Sequence, residues 1–147
     1  MDMLKVFTVD QSEQWDAIVR SFKEYDVYWL SGYVKAFELH GDGEATLFFY
    51  EDEETRGINV GMKRDVAKDA HFKGKLPEGQ YFDCATPYGY VGWIIEGEKT
   101  ERLFAEYKEW IYKHGIISEF VRFHPIVKNH ESSYPFYEVI KLGEVVH

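Results

Sequence analysis

The sequence predicts an α/β or α+β domain with a mixed sheet flanked by helices, and three observations carry that prediction. Apolar residues recur at helical spacing in three separate segments. Between those segments the period changes to continuous apolar runs and strict alternation, the marks of strands. The resulting order is a strand, two helices, several strands, a helix and two further strands. It mixes both element types in a chain of 147 residues, long enough to bury a real core.

Leu4 to Val9 reads as a short strand, and Asp10 with Glu13 three residues on reads as a helix cap. The helix that follows puts Trp15, Ile18, Val19 and Phe22 on one face. A second helix over Gly32 to His40 does the same with Tyr33, Ala36, Phe37 and His40, and Gly41 and Gly43 end it. Ala45 to Tyr50 is unbroken in its apolarity, as in a strand covered on both faces. After a turn over Glu51 to Arg56, Ile58, Val60 and Met62 alternate with smaller or polar residues, so this strand pairs back on the first. Lys68 to Gly79 is a polar loop. Tyr81 to Ala85 is a third strand leading into a Pro-Tyr-Gly-Tyr loop, and Trp93 to Ile95 is short and apolar. The clearest helix spans about Thr100 to His114, with Leu103, Phe104, Tyr107, Trp110 and Ile111 as its buried stripe and Gly115 as its stop. A strand over Ile117 to Phe123, a polar loop over Lys128 to Pro135 and a last strand over Tyr137 to Ile140 complete the chain. With no internal repeat or low-complexity linker, residues 1–147 read as a single domain with a mixed, mostly antiparallel sheet.

Composition narrows the classes of function. Eleven Phe, eleven Tyr and four Trp exclude a disordered chain, and tyrosine suits half-wet grooves as well as cores. A net charge of −9 lacks the basic footprint of a DNA binder or of a protein that docks on anionic lipid. The single cysteine, Cys84, permits no internal disulfide and no cysteine metal cluster, and a buried free thiol is its plain reading. The six histidines show no metal-ligand spacing, so no metal site is expected. No apolar run reaches transmembrane length and no signal-like amino terminus is present, so the expectation is a cytoplasmic protein without an integral membrane segment.

Two stretches carry the candidate chemistry. In Ser118-Glu119-Phe120-Val121-Arg122-Phe123-His124-Pro125, strand alternation would place Phe120, Arg122 and His124 on one side and Glu119, Val121 and Phe123 on the other. In Ala85-Thr86-Pro87-Tyr88-Gly89-Tyr90-Val91-Gly92, two tyrosines flank a glycine, which lets a substrate approach the backbone while the phenols supply hydrogen bonds.

With the two helices, the hairpin and the amphipathic helix, these stretches resemble the GNAT-like fold of Fem-type peptidoglycan aminoacyltransferases and their relatives. The resemblance runs from about Trp15 to Val146 and is most specific at Pro87 to Gly92 and at Glu119 to Pro125 followed by Asn129. It is a likeness to one half only: members of that family carry two tandem GNAT-like domains, and this chain resembles the amino-terminal one. The resemblance implies an N-acyltransferase domain that moves an acyl or aminoacyl group to an amine. The donor for the full-length protein would be acyl-coenzyme A or aminoacyl-tRNA, and the acceptor a small-molecule or cell-wall precursor amine. A second GNAT-like domain or a homodimer, formed at an open sheet edge, would complete the site. By the same likeness His124 and Tyr88 are the candidate catalytic residues, and Tyr90, Arg122, Gly89 and Asn129 the candidate substrate-binding ones. The chain departs from the acetyl-coenzyme A enzymes of the class in lacking their Arg/Gln-x-x-Gly-x-Gly/Ala turn, so no cofactor site is evident in it.

Plainer readings stand beside these. Pro87 to Gly92 has the composition of a tight loop between strands. Arg122 has Glu119, Glu138 or another carboxylate as structural partners, and His124 before Pro125 suits a hydrogen-bonded structural role. The alternatives to an acyltransferase half are a non-catalytic GNAT-like binding or scaffold module that dimerises, and a small dimeric acyltransferase with an unconventional cofactor site.

Overall fold

In the computed structural model, which describes residues 3–142, the longest apolar run of the sequence sits at the centre of the sheet. Strand β2 (Glu44–Glu51) buries Ala45, Leu47, Phe48 and Tyr50 completely. It pairs antiparallel with β1 (Leu4–Phe7) on one side and β3 (Arg56–Asp65) on the other. β3 is longer than the alternating apolar residues suggest, because Arg56, Lys63, Arg64 and Asp65 extend the ladder at its ends. Next to β3 lies β4 (Phe82–Ala85), antiparallel, and beyond it β6 (Ile116–Phe120), parallel to β4. A short β5 (Ile94–Glu96) also pairs with β3, antiparallel. Among the described residues the fold is therefore mixed α+β, with a mostly antiparallel six-stranded sheet and three α-helices.

β4 and β5 share one neighbour. Ile94 stands opposite Ile58 and Ala85 opposite Met62, so three residues of β3 (59–61) correspond to eight (86–93) of the segment that joins β4 to β5. The Pro-Tyr-Gly-Tyr loop is thus an excursion from the middle of a split strand. Such interruptions re-aim side chains next to sites.

Pleating sends alternate residues of each strand to opposite layers. Ala45, Leu47, Ile58, Val60 and Met62 pack under α1 (Ser12–Arg20) and α2 (Ser31–His40) together with Trp15, Val19, Trp29, Val34 and Val91. Phe48, Tyr50 and Trp93 pack under α3 (Glu101–Lys113) with Leu103, Phe104 and Tyr107. Val91 and Trp93, two residues apart, thus belong to different cores. The α1–α2 pair is locked by polar bonds. Asp16 accepts from the Ser31 backbone N–H (2.8 Å) and hydroxyl (2.9 Å), and Trp15 Nε1 donates to the Trp29 carbonyl (2.7 Å).

Four expectations need correction. The first cap is made by Thr8 and Gln11, not Asp10 and Glu13: the Thr8 N–H donates to Gln11 Oε1 (3.1 Å) and a 3-10 turn precedes α1. The inward stripe of α2 is Tyr33, Val34 and Phe37, with Ala36 and His40 exposed, because Val34 fills the core position. β6 stops at Phe120 instead of running to Phe123, and only Phe123 makes a further bridge, to Val91. Tyr137 to Ile140 is not a strand. Rings anchor its start: Phe136 stacks on Phe104 (5.0 Å between centroids), and the Tyr137 hydroxyl donates to Glu119 Oε1 (2.9 Å).

Candidate functional site

The two motif stretches meet where the parallel strands β4 and β6 end, the edge at which open sheets commonly place ligands. The junction is stitched through the backbone. The Thr86 N–H donates to the Phe120 carbonyl (2.9 Å), the Arg122 N–H to Thr86 Oγ1 (2.8 Å), and the Val91 N–H to the Arg122 carbonyl (2.9 Å). Asn129 closes it: its Oδ1 accepts from the His124 N–H (2.9 Å) and its Nδ2 donates to the Val91 carbonyl (3.0 Å). Two glycines let the excursion lie flat. Gly89 (φ +115°) is so close to the Tyr28 ring that an added Cβ would come within 2.4 Å of it, and at Gly92 (φ +103°) a Cβ would come within 2.7 Å of Phe123. The Tyr33 hydroxyl donates to the Tyr88 carbonyl, tying the loop tip to α2.

His124 is buried beneath this stitching, 5% exposed. Its Nδ1 accepts from the backbone N–H groups of Ile126 and Val127, both at 3.2 Å, which puts the ring proton on Nε2. Nε2 faces Asp26 Oδ2 at 2.9 Å. Burial pushes the Asp26 carboxyl up, but the hydrogen bonds from His124 and the Val27 N–H outweigh it and hold the group below its ordinary value. The rings of Tyr28, Trp29 and Tyr90 surround the imidazole with centroids at 6.0, 5.8 and 5.9 Å. Both imidazole nitrogens are therefore occupied from within the fold.

The other candidates divide by exposure. Tyr90 is half-buried in the aromatic cluster, and Asn129 and Gly89 are packed. Tyr88 is 76% exposed, and Arg122 is exposed, with no side-chain hydrogen bond or ion pair among the described residues. The pairing of Arg122 with Glu119 or Glu138 does not form. The shared face of Phe120, Arg122 and His124 is also corrected: regular alternation ends with β6, leaving Phe120 and Arg122 exposed and His124 inside. Asp26, Tyr28 and Tyr33 join the site although the sequence reading passed over them. The only signal was the aromatic-rich run Tyr25-Asp26-Val27-Tyr28-Trp29, with Asp26 placed to cap a turn, as it does by accepting from the Val27 N–H.

A second polar cluster lies under α3. Glu119 Oε1 accepts from the hydroxyls of Tyr107 and Tyr137, both at 2.9 Å, and Asn59 Nδ2 lies 3.4 Å from the Tyr107 oxygen. Burial raises the Glu119 carboxyl, only partly offset by the bonds from Tyr107, Tyr137 and Asn59. Cys84, opposite Glu119 across the β4–β6 pair, is buried, and its thiol is pushed up to about 12 by burial and by the Glu119 and Asp83 carboxylates. Two open depressions lie elsewhere. One of about 310 Å³ at the start of α3 is lined by Asp52, Glu53, Glu54 and Glu101 against Lys99 and Arg102. The other, of about 730 Å³, lies at the far end of β4 and includes the Arg64–Asp83 ion pair. Neither touches the β4–β6 rim.

No protein-family model, curated protein or solved structure matches this chain. Among the described residues no group of three His, Cys, Asp or Glu side chains converges to hold a metal ion, and no helix is long and apolar enough to cross a membrane.

Proposed function

We propose that this chain is a GNAT-like binding module whose rim at the ends of β4 and β6 holds a small anionic ligand, and that it is not itself the catalytic half of an acyltransferase. The observation that carries the proposal is the contrast between two neighbours in sequence. His124, the candidate catalytic residue, has both ring nitrogens bonded inside the fold, while Arg122 presents at the surface a guanidinium with no partner among the described residues. A free guanidinium suits bidentate capture of a carboxylate or phosphate, and the exposed phenol of Tyr88 on the adjoining loop supplies a further hydrogen bond. The GNAT-like reading itself is supported by the order of two helices, hairpin, loop, amphipathic helix and parallel strand. Four carboxylates around the start of α3 oppose a coenzyme pyrophosphate there. A second domain or a second copy would add at an open sheet edge, and β6 is one, with Ile117 and Phe120 exposed.

The test is calorimetric titration with inorganic phosphate, small carboxylates, coenzyme A and acyl-coenzyme A compounds, run on the parent and on Arg122→Ala. The expected result is binding of at least one anion that weakens about tenfold or more in the variant, with the melting temperature unchanged. Equal binding by the variant, or none by the parent, would sink the proposal. Turnover of an acyl donor with an amine, lost in Tyr88→Phe, would restore the catalytic reading.

A further inference from the structure

The rim stands at the end of an open sheet edge, and the backbone that joins the two shows what a partner would meet. β6 pairs with β4 alone. Past Phe120 the chain stays beside the loop that follows β4. The Phe120 carbonyl accepts from the Thr86 N–H, and the Arg122 N–H and carbonyl bond to Thr86 Oγ1 and the Val91 N–H. In an extended chain, alternate residues aim their N–H and C=O at opposite neighbours. Val121 therefore turns its pair toward the open edge, and neither group has a hydrogen-bond partner among the described residues.

The side chains that flank Val121 suit an extended visitor. Phe120 is 63% exposed, and the exposed guanidinium of Arg122 has no partner among the described residues. Ile117, also exposed, lies further back along the same strand. The opposite sheet edge is less open, because Glu106 Oε1 accepts from the Met3 and Leu4 N–H groups (2.7 and 3.1 Å) at the start of β1.

We infer that the edge of β6 binds the C-terminal end of an extended peptide, whose backbone pairs with Val121 and whose terminal carboxylate is held by Arg122. This rests on the reading of Arg122 as a carboxylate site, and it names the kind of molecule that carries the carboxylate. A free anion would use the guanidinium but leave the Val121 N–H and C=O open, whereas a peptide end uses both. The direction follows. A carboxylate ends its chain, so the peptide runs parallel to β6 and lays an apolar side chain on Phe120. A second copy of this chain fits less well. Glu119 is the one carboxylate of β6, and it is turned inward to the Tyr107 and Tyr137 hydroxyls, so a second β6 offers Arg122 no anion. Two such chains, each of net charge −9, also repel.

The experiment is calorimetric titration of the whole chain with a pentapeptide of alternating serine and valine that has a free C-terminal carboxylate. The same peptide as its C-terminal amide, and acetate, are the controls. The free acid is expected to bind about tenfold or more tightly than either. Arg122→Ala should erase the difference between acid and amide. Phe120→Ser should weaken the peptide, leave acetate unchanged and keep the melting temperature. Methylating the peptide nitrogens one at a time should cost about tenfold at the position facing Val121. Equal binding of acid and amide, or no effect of methylation at any position, would overturn the inference. If acetate or phosphate binds through Arg122 and the peptide acid binds no tighter, the rim reading stands and this one fails. If nothing binds, both fail. A dimer in sedimentation that the peptide does not dissociate would give the edge to a second copy instead.

Discussion

Removing the His124 ring would leave Asp26 Oδ2 and the N–H groups of Ile126 and Val127 without the partner they have in the fold, although Asp26 Oδ1 would still accept from the Val27 N–H. His124→Ala is expected to lose about 2–4 kcal/mol of stability in urea unfolding. The partnership also has a pH signature. Because the folded Asp26 carboxyl lies below its ordinary value, its contribution is present above the normal carboxylate range and is lost as pH falls through the folded value. His124→Ala should flatten that acid limb, and an unchanged limb would assign it to other carboxylates. Gly89→Ala puts a methyl group against Tyr28 at a left-handed backbone angle, and a loss of about 2–4 kcal/mol is expected. A variant that melts with the parent would show that Tyr28 yields freely. At this scale the sequence identified His124, Gly89 and Asn129 as special. It did not show that their partners are Asp26, Tyr28 and Val91, because strand ends and loops brought together by the fold leave no local pattern.

Helices α1 and α3 and the β2–β3 hairpin were legible because each has a period that only one geometry satisfies: Leu103, Phe104 and Tyr107 in the helix, Ile58, Val60 and Met62 in the strand. The separation of β4 from β5 was legible too, because Pro87, Gly89 and Gly92 interrupt the run between them, but no local pattern showed that both pair with the same strand, β3. Tyr137 to Ile140 misled for a related reason. Its composition is that of a strand, but Phe136 and Tyr137 gain more by packing on α3 than the segment would by pairing. Between β6 and α3, the Glu119 carboxyl is raised by burial, so its protonated form is favoured in the folded state. Its contribution is complete below the unfolded value and is lost as pH rises toward the folded one. Glu119→Gln keeps an oxygen for both phenols and should gain on the parent as pH rises from about 4.5, the ordinary value. Urea midpoints across pH 4 to 8, a window that brackets the ordinary glutamate range, would show it, and parallel profiles would refute it. On β4, the Cys84 thiol should resist a disulfide reagent at about pH 8, where a free cysteine titrates, until the protein unfolds. Rapid modification of the native protein would show that the β4–β6 pair opens locally.

At the scale of the whole molecule, a charge of −9 spread over a surface with few basic clusters makes the folded state repel itself. Raising salt from low to physiological ionic strength should therefore raise the melting temperature, and a fall would mean that ion pairs such as Arg64–Asp83 outweigh the repulsion. The two hydrophobic cores lie on opposite faces of the sheet and could in principle melt one after the other. The run Val91-Gly92-Trp93 ties them together, since its first residue is buried in one core and its third in the other. Loosening either face pulls on the same three-residue stretch of backbone. Amide protons of α1 and of α3 should accordingly exchange with solvent through one shared opening, at a single free energy, with no partly open species in which one face has dissolved and the other persists.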